Sequence, residues 1–128
     1  MSKLSYPTVH PVKRGDTARK FQDHLQVDGD SVDLTGASVK FVLRTKAGVV
    51  LVNRAGSVLQ VGTEQDKTEP NVECQVEVGD LEELGTHEQE WHVRMSGGGV
   101  LTLPQEGYNL VRVWDTLTPI GSSSSSGP

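Results

Sequence analysis

Cysteine is nearly absent from this chain. Cys74 stands alone, so no disulfide within the chain can staple the fold. A single thiol fits synthesis in a reducing compartment. Aromatic residues are scarce as well, two each of Phe, Trp and Tyr among 128 residues, which leaves a core to be built mainly from Val and Leu. No stretch approaches the roughly eighteen consecutive apolar residues that a membrane-spanning helix needs. Met1 to Pro11 lacks the apolar run of a signal peptide. A soluble protein made in a cytoplasm, with no membrane partner, is the expectation. Positive charge is in deficit, 12 Lys and Arg against 17 Asp and Glu, for a net charge of −5. Affinity for nucleic acid comes chiefly from Lys and Arg displacing phosphate counterions, so nucleic acid is not expected as a partner.

Turn formers, by contrast, are plentiful: 14 Gly and 6 Pro favour short strands over long helices. Residues 38–44 alternate, with Val39, Phe41 and Leu43 on one face. Residues 49–52 are apolar and mostly β-branched, and residues 57–61 read as their partner strand. The cleanest alternation puts Val72, Cys74, Val76 and Val78 on one side and Glu73, Gln75 and Glu77 on the other. Residues 86–95 place Trp91, Val93 and Met95 inward and Glu88, Glu90, His92 and Arg94 outward, and Gly97–Gly99 then turns the chain. Asp28-Gly29 marks a tight turn earlier on. Tyr108 to Trp114 reads as the last strand. The pattern predicts an all-β, antiparallel sandwich of seven to nine short strands with extended termini. Its expected core includes Phe21, Val39, Phe41, Val76, Trp91 and Val93. Pairing of 72–78 with 86–95, setting Glu77 across from His92, avoids facing carboxylates and is the expected register.

Organisation follows from the same pass. Residues 1–12 read as an extended arm, 13–115 as the sandwich and 116–128 as a flexible Ser/Gly/Pro tail. Pro7 and Pro11 hold the arm extended and lower the entropy lost on docking, so Tyr6, Pro7, Val9 and Pro11 are the candidate partner contacts.

No catalytic machinery emerges. Cys74 alternates with valines, as a buried small hydrophobe does. No Ser sits in a Gly-x-Ser-x-Gly elbow, and the Gly97–Gly99 run lies between strands rather than before a helix. His87 and His92, five apart on a strand, face opposite sides of a sheet, while His10 and His24 lie in separate segments, so no metal site is expected. Glu73, Glu77, Glu88 and Glu90 read as solvating residues of an outward face. The chain is therefore expected to be no enzyme and to hold no cofactor. Arg14-Gly15-Asp16 reads as a turn at Gly15, with a local side-chain cap from Asp16 or Thr17, rather than as an adhesion tripeptide.

Taken in order, Arg14-Gly15-Asp16-Thr17, Phe21, Leu25, Asp28-Gly29 and Val32-Asp33-Leu34-Thr35-Gly36-Ala37, followed by Val39 and Phe41, form a pattern. It resembles the N-terminal domain of phage baseplate upper proteins, an immunoglobulin-like sandwich. The resemblance spans roughly residues 12–115 and rests mostly on the first half, with Arg14, Gly15, Asp16, Thr17, Asp33, Leu34, Thr35 and Gly36 as its motif. It implies a structural component of a phage particle, in tail or baseplate, working by protein–protein contacts. The implied partners are other virion proteins or copies of itself in a homo-oligomer or symmetric array. The implied location is the virion, assembled in the host cytoplasm. A capsid decoration protein, a head–tail joining piece and a host-surface carbohydrate-binding module stay open as alternatives.

Overall fold

The computed structural model describes residues 9–105 and 107–117. It is a two-layer β-sandwich with no helix among the described residues, as the alternation predicts. Strands β1 (Val9–Lys13), β5 (Ser38–Thr45), β6 (Val50–Ala55), β9 (Gly85–Arg94), β10 (Val100–Leu103) and β11 (Asn109–Trp114) form the large sheet. Strands β2 (Lys20–Asp23), β7 (Ser57–Val58) and β8 (Val72–Gln75) form the small sheet. A separate hairpin joins β3 (Gln26–Val27) to β4 (Asp30–Ser31). The count of eleven exceeds the expected seven to nine because β3, β4 and β7 are two-residue ladders.

The large sheet runs β1-β11-β9-β5-β6, with β10 beside the distal half of β9. Its pairs are antiparallel except β1 with β11, which is parallel. Parity along β5 and β9 turns Val39, Phe41, Leu43, Trp91 and Val93 inward. Phe21 of β2 stacks on Phe41 with ring centroids 4.2 Å apart, and Trp91 meets the same ring edge-on at 4.9 Å. The six residues expected in the core are all buried there. Asp28 and Gly29 both adopt positive φ, 54° and 85°, the geometry of the two-residue hairpin turn that their sequence signals.

Gly56 alone carries the chain from β6 in the large sheet to β7 in the small one. A Cβ there would lie 2.5 Å from the Glu73 carbonyl oxygen and 3.1 Å from the Trp91 ring, so only glycine lets the two layers close this tightly. Beside this crossing Arg54 donates two hydrogen bonds to Asp80, at 2.7 and 2.8 Å, and a third to the Gln75 carbonyl at 2.8 Å. That edge of the sandwich is sealed by chain and charge.

Three pairings differ from the sequence reading. Residues 72–75 do not pair with 86–95. Strand β8 lies in the small sheet between β2 and β7, and β9 lies in the large one. Glu77 consequently meets Arg54 at 3.4 Å and not His92, while Val78, in the turn before Gly79, is 90% exposed. Residues 57–58 pair with β8, and the partner of β6 is β5. Alternation marks which side of a strand faces the core, yet both inner faces of a sandwich carry the same pattern, so it cannot choose between sheets. Finally, the arm expected over residues 1–12 does not extend to residue 12: Val9 to Lys13 form β1, and Val12 is buried in the core.

Candidate functional site

The outer face of the large sheet is built from the alternate residues that parity turns away from the core. One row crosses five strands, Val9, Leu110, Glu88, Arg44 and Val50, with a register shift at Leu43/Arg44 before its last step. A second row sets Thr102, His92, Lys40 and Ala55 together, and a third Val100, Arg94 and Ser38. Five cations stand on this face: Lys13, Lys40, Arg44, Arg94 and Arg112. Among the described residues of its strands only two carboxylates accompany them, Glu88 and Glu90. On a chain of net charge −5 the face thus carries a surplus of three positive charges.

Some of this charge is engaged locally. Arg44 donates to Glu88 at 2.9 Å and lies 5.1 Å from the Tyr108 ring centroid, which together hold its guanidinium more firmly protonated. Arg112 stacks over Trp114 at 4.4 Å and donates to Thr86 at 3.0 Å. Lys40 and Arg94 have no carboxylate partner among the described residues. Trp114 is 49% exposed, and Val9, Val50 and Val100 are exposed elsewhere on the same face. Of these residues, Arg and the half-exposed Trp114 are of the types enriched in contact surfaces.

A second polar cluster lies at the opposite, open edge of the sandwich, where β1 and β2 face one another without pairing. The Asp23 carboxylate there accepts hydrogen bonds from Gln89 Nε2 at 2.7 Å and Trp91 Nε1 at 2.6 Å. His10 Nε2 approaches its other oxygen at 3.3 Å without a well-formed hydrogen bond. A cavity of about 160 Å³ opens beside it, lined by His10, Val12, Phe21 and Gln89 among others. At roughly 30 Å³ per water that is room for about five waters. No Ser, Thr or Cys is among its lining residues, and its volume is well below the ~300 Å³ at which small-molecule pockets begin. The cluster bridges the two layers: a β2 carboxylate takes two donors from β9.

The remaining sequence candidates are scattered. Val9 and Pro11 lie in β1, paired with Leu110 and Arg112, and Tyr6 and Pro7 lie outside the described residues. Gly15 turns the chain at φ 84° and its N–H donates to the Leu81 carbonyl, while Arg14 pairs with Asp115 at 3.5 Å. Asp16 N–H donates to the Lys13 carbonyl, and the Thr17 carbonyl accepts from Gln75. Asp33 accepts from both the N–H and the hydroxyl of Thr35, bonds that hold its carboxyl below the usual range. Leu34 is in the core, and Gly36 turns at φ 71° against Ser96. These eight residues make two separate turns, not one site.

Glu73 and Glu77 lie on the small-sheet side and do not share a face with Glu88 and Glu90. Burial pushes the Cys74 thiol up, as its place among valines suggests. His87 and His92 do part to opposite faces, the buried His87 donating through Nε2 to the carbonyl of exposed Glu83. No three metal-ligating side chains converge among the described residues. Sequence reasoning missed Asp23 and Gln89. The signal for Gln89 was present, since it shares the inward parity of Trp91 and Val93.

The class defined by this architecture is an all-β sandwich with a basic outer sheet face. No family model matches the chain and no curated protein does. Among solved structures it is similar to CopC from Methylosinus trichosporium OB3b, at 12% identity and a TM-score of 0.45, covering 88% of this chain and 89% of that one. The role expected from the sequence is corrected by this outcome. A structural piece of a phage tail or baseplate, like its capsid, neck and carbohydrate-binding alternatives, finds no support, since no family model and no curated protein matches.

Proposed function

We propose that the protein is a non-enzymatic contact module whose working surface is the outer face of the large sheet and whose partners are acidic protein surfaces. The observation carrying this reading is the surplus of three positive charges on that face of a chain whose net charge is −5. Charge segregated against the overall sign steers oriented encounter and disfavours other approaches. Trp114 and the exposed valines supply the apolar contacts that hold a complex once formed. A surplus of three is small against the phosphate density of a duplex, which favours protein over nucleic acid as the partner.

A short polyglutamate peptide is the probe. Its titration into the labelled full chain should shift the backbone resonances of Lys40, Arg94 and Arg112 and change the fluorescence of half-exposed Trp114. Shifts confined to the small sheet, or none, would overturn the reading. So would a duplex DNA that displaces the peptide at equal charge concentration, because the surface would then suit phosphate better than carboxylate.

A further inference from the structure

The acidic complement to the basic face lies on the same molecule. Six carboxylates, Asp28, Asp30, Asp33, Glu64, Asp66 and Glu69, occupy the β3–β4 hairpin with its following turn and the loop 60–70. All six are exposed, and Lys67 is the one Lys or Arg among them. Two segments far apart in sequence are bound here into a single lobe. Lys67 donates to the Gly29 carbonyl at 2.6 Å and Gln65 to the Val32 carbonyl at 2.7 Å. His24 spans both, donating through Nδ1 to the Glu69 carbonyl and accepting at Nε2 from the Ser31 hydroxyl, each at 2.7 Å. Asp66 repeats the turn of Asp33, taking the N–H and hydroxyl of Thr68, which holds its carboxyl low and ionised. The lobe is therefore rigid as well as acidic, so little order need be imposed when it docks.

The lobe grows from the small sheet, after β2 and before β8, whereas the basic face is the outer surface of the large sheet. One rigid sandwich cannot fold its lobe onto its own face. We infer that the basic sheet face receives the acidic lobe of a second copy of this chain, so that copies associate head to tail. The inference rests on the contact reading above and names its partner. Charge favours this occupant: a surplus of three positive charges meets a lobe with five more carboxylates than Lys or Arg. Area allows it, since five strands spaced about 4.8 Å and a ten-residue β9 give roughly 700 Å², near the ~800 Å² per partner of a stable complex. Because face and lobe are different surfaces, each copy offers one of each. The contact is heterologous, and association continues into a ring or a filament.

The test is sedimentation of the full chain over a concentration series, with two neutralising variants. Lys40→Ser with Arg94→Ser disables the face at positions without a carboxylate partner. Asp28→Asn with Asp30→Asn disables the lobe, and Asn accepts the φ of 54° at residue 28. Thermal melts matching the parent's verify that both variants fold. The parent should form species larger than a dimer, with association weakened about tenfold or more from 50 to 500 mM salt. Each variant alone should be monomeric. Mixed in equal amounts they should form a heterodimer and nothing larger, because the mixture retains one working face and one working lobe. A mixture that stays monomeric overturns head-to-tail docking, as does a lobe variant that associates like the parent, the mark of a face-to-face dimer. A parent that binds polyglutamate yet remains monomeric overturns this inference while the contact reading stands; failure of both experiments removes both.

Discussion

Phe41 lies between the other two rings of the core, stacked on Phe21 and edged by Trp91 with no exposed surface. Phe41→Ala should cost about 3–5 kcal/mol, the usual loss for deleting a buried ring, and a loss below about 1 kcal/mol in denaturant melts would show that the three rings do not form the centre of the fold. Asp80 is a different kind of residue. It is 5% exposed, and it takes two bonds from Arg54 and the N–H of Glu77. Asp80→Ala leaves the Arg54 guanidinium, 26% exposed, with only the Gln75 carbonyl and the more distant Glu77 carboxylate at the sealed edge. The expected cost is about 2–4 kcal/mol in urea melts, the lower end applying because the Arg54 head keeps some water.

The turn aspartates give a pH dependence with a definite sign. Hydrogen bonds from Thr35 and Thr68 depress the carboxyls of Asp33 and Asp66 in the folded state. A depressed carboxyl contributes stability above its unfolded pKa and loses it as pH falls through its folded one. The contribution should therefore disappear below about pH 4, the ordinary carboxylate range. Asp33→Asn with Asp66→Asn keeps both turns but removes the titration, so its stability should fall less steeply with acid than the parent's. Superimposable acid limbs in the two proteins would count against it.

At the scale of elements, β1 matters most for correcting the sequence reading. The arm reading implies that residues 1–11 can be removed without loss. In the structure that cut takes Val9, His10 and Pro11 out of a strand whose register with β11 runs from Leu110 to Trp114. A chain beginning at Val12 should melt roughly 5–10 °C below one beginning at Val9, the shift expected for 1–2 kcal/mol in a domain of this size. Equal melting temperatures would restore the arm. Pro11 also explains why β1 works as an edge: it lacks the N–H that an added strand would use. The crossing between sheets makes the other element-scale prediction. Gly56→Ala should be strongly destabilising because its Cβ meets backbone at 2.5 Å, whereas Gly97→Ala, with nothing within 4 Å, should be nearly neutral in the same melt.

For the whole molecule the relevant quantity is where charge sits, not its sum. The net charge of −5 argues against a basic binding surface when spread over the chain. Folding separates it, gathering Lys40, Arg44, Arg94 and Arg112 from three strands onto one face and six carboxylates from two loops into one lobe. No local pattern announces this, because the positions are brought together by strand order and not by spacing.

The sequence by itself determined most of the strands from residue 38 onward, the main turns and the apolar side of β5 and β9, since alternation, Gly and Pro act within a few residues. It settled the core around Phe21, Phe41 and Trp91 for the same reason, and Asp28-Gly29 named its own turn. Only the tertiary structure decided partnership. It placed 72–75 in the other sheet from 86–94, drew Val9–Lys13 in beside β11, and set Asp23 under Gln89 and Trp91. Inner faces of a sandwich are chemically alike, so pairing is chosen by the joint fit of all the strands, and a contact between residues 66 or 68 positions apart leaves no local trace.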